Sequence, residues 1–190
     1  MCCKIKIKKT VLTDLFRKLK HLRVVDLSNH RITKEMLLIL AQNNPNLEEL
    51  KLYGCIGLKA GNFDVETSLQ SLRKLSLKST AITKKGLKNM VKNCTQLSHL
   101  NLKWCYNLKP GFLDVLKKNC PNLEHLKIGY LPPDVLKKSD VGVFTTHFGK
   151  LKSLDLSDFS VPALNPYVDE EFMQAMANRG IEIELRSSMC

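Results

Sequence analysis

The sequence predicts an α/β fold in which short parallel strands alternate with helices. One observation is a motif of the form L-x-x-L-x-L, with some aliphatic replacements, that recurs along most of the chain. Its first leucines are Leu22, Leu47, Leu72, Leu97, Leu123 and Leu151, at spacings of 25, 25, 25, 26 and 28 residues. The second observation is a change of apolar spacing within each unit, from every second position to every third or fourth. A fixed period of this length is typical of a stacked solenoid.

Each unit is predicted to contain one strand followed by one helix. In the unit that begins at Leu72, residues 75–77 alternate apolar and polar side chains, which is typical of a strand. Residues 82–94 then place apolar side chains three and four positions apart, which is typical of one helix face. Thr33 and Thr83 precede such helical stretches and are predicted to cap them.

The units are predicted to stack because no single one can bury both its strand leucines and its helix stripe. Stacking brings the strands into one parallel sheet and the helices into a second layer, with a continuous core between them. The helix layer is the bulkier of the two. The prediction is therefore a curved, right-handed β-α superhelix with the sheet on its concave face and the helices on its convex face.

The predicted organisation is a single domain over residues 1–190. It comprises an N-terminal cap or partial repeat (1–20), about six repeats (21–178) and a C-terminal strand and tail (179–190). In the first part, Ile5 and Ile7 predict a strand, and residues 13–20 predict a short helix. In the last part, alternation over residues 181–185 predicts the final strand.

Three units depart from the pattern. In the second unit, residues 60–69 are short and lack the helical stripe. In the fifth unit, residues 131–133 read Leu-Pro-Pro at the expected turn. In the last unit, residues 161–166 are irregular, and a helix is predicted over residues 169–178, ended by Gly180.

Two segments, Asn93–Leu97 and Asn119–Leu126, resemble the cysteine-containing class of leucine-rich repeats. This class is typical of F-box substrate receptors and of similar stand-alone repeat modules. The resemblance implies a leucine-rich-repeat fold and protein binding, including substrate recognition for ubiquitin ligation. About twenty residues precede the repeats, and we expect this to be too few for the helical F-box. The alternatives are a stand-alone module and a module whose partner subunit supplies that function.

The spacing of the cysteines predicts buried structural thiols. The chain has seven cysteines; Cys55 and Cys105 occupy equivalent positions of different repeats, as do Cys94 and Cys120. A disulfide framework or a zinc site would need a spacing such as C-x-x-C, which the sequence lacks. Reduced thiols lead us to expect a reducing compartment.

The sequence predicts an intracellular protein, cytoplasmic or nuclear. The first twenty residues lack the apolar core of a secretory signal, and no stretch approaches a transmembrane span. A mitochondrial location is the alternative, since the N-terminus is basic. Cys2 and Cys3 lie beside four lysines and are a candidate palmitoylation site. An ordinary capping strand is the alternative interpretation of that segment.

The predicted binding surface is the face of the sheet that points away from the buried leucines. Strand residues that flank those leucines point to this face, and aligning the repeats brings them into rows. The middle of the surface is basic and aromatic, and its ends are acidic at Asp26, Asp155 and Asp158. The predicted partner-binding residues are Lys51, Tyr53, Lys74, Lys78, His99, Asn101, Lys103, Trp104, His125, Lys127 and Tyr130.

We expect this surface to bind an acidic or phosphorylated segment of another protein, because lysines form charge-assisted hydrogen bonds with anions. Trp104, the sole tryptophan, is of a type enriched at binding hot spots, with packing over its own turn as the alternative. His99 and His125 should lie about 5 Å apart on adjacent strands, so that their protonation would make binding pH-sensitive. Lys103→Glu is expected to leave stability nearly unchanged.

Two further classes of function are alternatives, whereas catalysis is not expected. The net charge of +12 is compatible with a nucleic-acid or ribonucleoprotein binder. The degenerate terminal units are compatible with a structural subunit of a larger assembly, such as a mitochondrial one. The sequence has neither a phosphate-binding loop of the G-x-x-x-x-G-K-[ST] type nor a G-x-S-x-G motif. No catalytic residue, metal, cofactor or small-molecule substrate is therefore predicted.

Overall fold

The structure is a computed structural model that describes residues 9–57, 69–132, 135–136, 138–157 and 168–185. The helices in these ranges are α1 (Lys9–Lys18), α2 (Lys34–Asn43), α3 (Lys84–Met90), α4 (Phe112–Asn119), α5 (Lys138–Thr146) and α6 (Glu170–Asn178). The strands are β1 (Val24–Asp26), β2 (Glu49–Lys51), β3 (Lys74–Ser76), β4 (His99–Asn101), β5 (His125–Lys127), β6 (Ser153–Asp155) and β7 (Glu182–Glu184). None of the described helices has the length and apolar character that a membrane span requires.

The seven strands form one open parallel sheet, and their order in the sheet is their order in the chain. Neighbouring strands pair without a register shift, so that Leu50, Leu75 and Leu100 lie side by side. The hydrogen bonds continue past the strand ends, where the Leu77 amide donates to the Asn101 carbonyl at 2.9 Å. The sequence period is therefore also a structural period, and the predicted α/β fold with a parallel sheet is confirmed.

The helices cover one face of this sheet. The middle residue of each of the first six strands is buried and joins helix residues such as Leu87 and Leu116 in one hydrophobic core. The first and third residues of strands β1 to β5 are instead exposed or half-buried. Because successive strand side chains point to opposite faces, the sheet has a leucine face toward the helices and a second face, here called the open face.

Several helix ends follow the sequence signals. The hydroxyls of Thr33 and Thr83 accept hydrogen bonds from the amide three residues further on, at 3.4 and 3.1 Å. Asp169 caps α6 in the same way at 2.9 Å, and the chain beyond α6 turns at Gly180, which has a φ of 66°. The helix predicted over residues 169–178 and the strand predicted over residues 181–185 are confirmed.

Helix α1 begins earlier than predicted, because it spans Lys9–Lys18 where a helix was expected over residues 13–20. Its buried residues include Leu12 and Phe16, which are four positions apart and therefore lie on one helix face. The Phe16 carbonyl accepts a hydrogen bond from the Asn43 side chain of α2 at 3.0 Å. The packing of Leu12 and Phe16 against the core therefore sets which residues of the chain form α1.

Four cysteines are buried free thiols, as their spacing predicted: Cys55, Cys94, Cys105 and Cys120. Two of them, Cys55 and Cys105, donate to strand-end carbonyls one repeat earlier, at 3.0 Å in both cases. Burial raises the pKa of Cys94 to about 12. The thiols are therefore protonated core groups at neutral pH.

Several predictions fall outside the described residues. These are the strand at Ile5 and Ile7, the candidate lipidation site at Cys2 and Cys3, the irregular residues 161–166, Asp158, Pro133 and residues 60–68 of the second unit.

Candidate functional site

The candidate site is the open face, on which the strand register places the side chains in rows. The first row is Val24, Glu49, Lys74, His99, His125 and Ser153, and the second is Asp26, Lys51, Ser76, Asn101, Lys127 and Asp155. Backbone hydrogen bonds beyond the strands extend the alignment to a third row with Tyr53, Lys78, Lys103 and Gly129. These rows are the ones predicted from the sequence.

An open depression crosses strands β2 to β5 on this face. It is lined by side chains of the first two rows and encloses about 160 Å³. Pockets for small molecules typically enclose about 300–1,000 Å³. The depression is therefore smaller than a typical small-molecule pocket.

Lys103 is mostly buried and lies in an ion pair on the open face. Its Nζ lies 3.0 and 3.3 Å from the two carboxylate oxygens of Asp155 and 2.6 Å from the Ser157 hydroxyl. The Lys103 and Asp155 side chains are only 15% and 5% exposed. We therefore expect Lys103→Glu to destabilise the fold rather than to leave its stability nearly unchanged, since this lysine neutralises a buried carboxylate.

Gly129 makes room for this ion pair. Lys103 follows β4 and Asp155 belongs to β6, so the lysine side chain must cross the end of β5, which Gly129 follows. A Cβ added to Gly129 would lie 2.3 Å from the Ser157 carbonyl oxygen and 3.2 Å from the Lys103 Cε. In the third row, Gly129 lies between Lys103 and Ser157, and Ser157 lies two residues after Asp155. This glycine was the sequence signal for the ion pair, and it was not recognised.

Asn101 also has a structural role that the sequence analysis did not assign. Its side-chain oxygen accepts a hydrogen bond from the Lys103 amide at 3.0 Å. Asp26 and Asp155 make the same bond to the amide two residues on, at 2.9 and 3.0 Å. These short Asx-turns fix the chain where it leaves the strand.

The acidic neighbours reduce the positive charge of two more lysines. Lys51 Nζ lies 2.9 Å from a carboxylate oxygen of Glu49. Lys127 Nζ lies 3.9 Å from Asp155, whose carboxylate already pairs with Lys103. The middle of the open face is therefore less basic than the sequence suggested.

Lys74 and Lys78 also contribute positive charge to this face. Among the described residues, neither makes an ion pair, although Lys78 Nζ lies 5.1 Å from the ring centroid of Tyr53. A cation over an aromatic face is held in place while its charge remains available to an anion. Lys74 is the first residue of β3, and Lys78 lies two residues after the end of that strand. Both lysines therefore belong to the same repeat.

His99 and His125 form a close pair, as predicted, with ring centroids 4.3 Å apart. The Nδ1 atoms lie 2.8 Å from the Ser98 hydroxyl and 2.7 Å from the Ser153 hydroxyl. Burial first, and then the charges of His125 and Lys74, lower the pKa of His99. Within the described part of the chain, no group of three or more His, Cys, Asp or Glu side chains is arranged to hold a metal ion.

We expect the imidazole of His99 to titrate below the ordinary histidine pKa of about 6.5, because burial and then the charges of His125 and Lys74 disfavour its protonated form. The folded state then binds this proton less tightly than the unfolded state. Stability should therefore fall as the pH drops from the ordinary value through the lower folded-state pKa. NMR titration of the ring protons measures the midpoint, and Lys74→Gln should raise it. A midpoint above the ordinary value would contradict this geometry.

The aromatic residues form a cluster at the ends of β4 and β5. Trp104 stacks on Tyr130 with ring centroids 3.8 Å apart at an interplanar angle of 16°. Tyr106 stands edge-on to Trp104, with centroids 6.1 Å apart at 89°. Tyr106 is not among the binding residues predicted from the sequence. The repeat itself indicated this residue, because Tyr106 follows Cys105 just as Ile56, which is also exposed, follows Cys55.

Trp104 and Tyr130 occupy a turn position with left-handed backbone. Their φ angles are 64° and 59°, and the equivalent positions in earlier repeats are Asn29 (62°), Gly54 (59°) and Ser79 (55°). Bulky residues are rare in this region, where the conformation costs roughly 1–2 kcal/mol per residue. The turn conformation therefore does not explain why aromatic residues occupy these two positions.

Comparison with known proteins assigns no function to the open face. No protein-family model matches the chain, and no curated protein matches it. The functional conclusion rests on the sequence and on the geometry of this face.

Proposed function

We propose that this chain is a leucine-rich-repeat solenoid of the cysteine-containing class and that it acts as a protein-interaction adaptor. The in-register parallel sheet in chain order, the repeat of about 25 residues and the buried cysteines at equivalent positions support this proposal. In a solenoid of this kind, the open face is concave and the helices lie on the convex side.

The proposed partner is an acidic or phosphorylated segment of another protein that lies on the open face. The observation that carries this proposal is that Lys74 and Lys78, in the middle of an exposed sheet surface, make no ion pair with any described residue. Carboxylate and phosphate groups form strong hydrogen bonds with such ammonium groups. Tyr53, beside Lys78, adds aromatic contact area of the kind that anchors interfaces.

The adaptor proposal includes no catalytic residue, cofactor or small-molecule substrate. Substrate recognition for ubiquitin ligation is the cellular role that the resemblance to F-box receptors adds to it. That role needs a further subunit or segment to dock the module onto the ligase.

Affinity purification from the native source tests this proposal, at moderate salt and after nuclease treatment. The wild type is compared with the open-face variant Lys74→Glu/Lys78→Glu. The matched control is Lys88→Glu/Lys118→Glu, which makes the same change of net charge at exposed lysines of α3 and α4.

The expected result is a protein partner that survives nuclease, is retained by the control and is lost by the open-face variant. Partners that disappear after nuclease treatment would replace the proposal with nucleic-acid binding. A partner that both variants retain in fixed stoichiometry would place the interface elsewhere, as in a structural subunit.

A further inference from the structure

We propose that the turns after β3 and β4 form an anchoring pocket for one aromatic side chain of the acidic segment that the open face binds. This inference rests on the proposed function and deepens it. Lys74 and Lys78 would bind the acidic residues of the segment. The pocket would bind its aromatic residue and so set the register of the segment on the open face.

The pocket is a depression of about 280 Å³ lined by Ser79, Thr80, Ala81, Trp104, Tyr106 and Asn107. Two of its walls are aromatic rings at right angles, since Tyr106 stands edge-on to Trp104. A side chain seated there would contact both rings and the small residue Ala81 at once. Its volume is at the low end of the range for small-molecule sites, roughly 300 Å³, and suits one side chain.

The aromatic walls differ in how firmly they are held. Trp104 is fixed from one side by the stacked ring of Tyr130, and Lys103 Nζ lies 5.4 Å from the Tyr130 ring centroid. Tyr106 is 56% exposed, so much of its ring faces solvent. The pre-positioned indole of Trp104 therefore loses little conformational freedom when a ligand binds, and the exposed ring of Tyr106 is accessible to the same ligand.

The position of the aromatic residues in the repeat supports a function beyond the turn. Trp104 and Tyr130 stand where other repeats have Asn29, Gly54 and Ser79, and all five residues share the same left-handed backbone. The smaller residues show that the turn forms without large rings.

The charges around the pocket select the class of ligand. None of the residues that line it is charged, and the adjacent charged residues along the chain are the cations Lys78 and Lys103. A cationic ligand such as a methylated lysine would be repelled by them. The complementary ligand is a neutral aromatic side chain with carboxylates or phosphates on its flanks, which is a peptide rather than a lone aromatic molecule.

A nucleobase is less well matched to this pocket than a side chain. Bases bind by stacking flat on an aromatic ring, and one face of the Trp104 indole is already covered by Tyr130. The other ring of the pocket, Tyr106, is perpendicular to the indole. A base therefore cannot stack on both rings at once.

The fluorescence of Trp104 gives a direct test, because it is the sole tryptophan of the chain. The probes are two synthetic peptides in which three aspartates flank each side of a central residue, either Phe or Ala. We expect the Phe peptide to bind about tenfold more tightly and to shift the Trp104 emission. Tyr106→Ala should abolish this preference without weakening the Ala peptide. The matched control is Ile56→Ala, at the equivalent and 65% exposed position of another repeat, and it should keep the preference.

Other outcomes separate the pocket from the proposed function. Equal affinity for the two peptides, lost in Lys74→Glu/Lys78→Glu, would overturn the pocket and leave the acidic partner in place. Failure of both peptides to bind at moderate salt would overturn both. Tighter binding of oligothymidylate than of either peptide, with quenching of Trp104, would replace the peptide with a nucleic acid.

Discussion

Leu100→Asp should unfold the sheet at its centre. Leu100 is the middle residue of β4, is only 2% exposed and lies in register between Leu75 and Leu126. Truncation of a buried leucine alone costs about 2–5 kcal/mol, and aspartate adds an unpaired charge in an apolar core. Against a total stability of about 5–15 kcal/mol, we expect no folded population, or only a marginal one, at room temperature.

Asn101→Asp is the matched control for this prediction, because it adds the same charge one residue further on the open face. The Asn101 oxygen accepts the Lys103 amide, and Asp26 and Asp155 show that a carboxylate can accept the same bond. The control should therefore remain within about 0.5 kcal/mol of the parent. Urea denaturation followed by circular dichroism distinguishes the two. If Leu100→Asp unfolds with the parent midpoint, the strand register is wrong.

Lys103→Glu should be the most destabilising charge reversal on the open face. The change removes the cation that pairs with Asp155 and places a second carboxylate beside it, in a site where both side chains are nearly buried. Loss of one partner of a buried ion pair costs about 3–5 kcal/mol. The same measurement, urea denaturation at neutral pH, gives the loss of unfolding free energy.

Two further variants show whether that loss comes from the buried pair. Lys51→Glu reverses an exposed lysine beside Glu49, and such a surface pair contributes little to stability because solvent and salt screen it. Lys103→Met/Asp155→Asn removes both charges. The new asparagine can still accept the hydrogen bond from the Ser157 amide, as Asn101 accepts the equivalent bond from the Lys103 amide. The double variant should recover most of the stability. A Lys103→Glu protein as stable as Lys51→Glu would show that the pair does not stabilise the fold.

The stabilisation that the Lys103–Asp155 pair gives to the folded state depends on pH. Burial raises the pKa of Asp155, but the hydrogen bonds from Ser157 and Lys103 outweigh it and hold the pKa below its ordinary value. The stabilisation is therefore present at pH values above about 3.9, the ordinary aspartate pKa, and is lost as the pH falls through the folded-state pKa.

Much of the open face was predictable because the repeat fixes both register and side-chain direction. A period of about 25 residues aligns Lys74 with His99, and alternation along a strand separates the leucine face from the open face. The caps at Thr33 and Thr83 were predictable for a similar reason, since a cap depends on residues within one turn of the helix. The equivalent positions of Cys55 and Cys105 likewise indicated buried thiols.

The contacts between side chains were not predictable, because they depend on which neighbours leave room and which supply charge. Lys103 and Asp155 are 52 residues apart in the chain, and they meet only because Gly129 leaves the end of β5 without a side chain. The start of α1 likewise depends on packing of Leu12 and Phe16 in the core rather than on a local signal.

The sequence by itself determined the strand order, the register and the face on which each strand residue lies, since these follow from the period and from alternation. Only the tertiary structure decided that Lys103 pairs with the buried Asp155, that Lys74 and Lys78 make no ion pair with any described residue, and that Trp104 and Tyr106 line a pocket. The physical reason is that electrostatic and packing energies depend on distances of a few ångströms across strands, which a linear pattern does not specify.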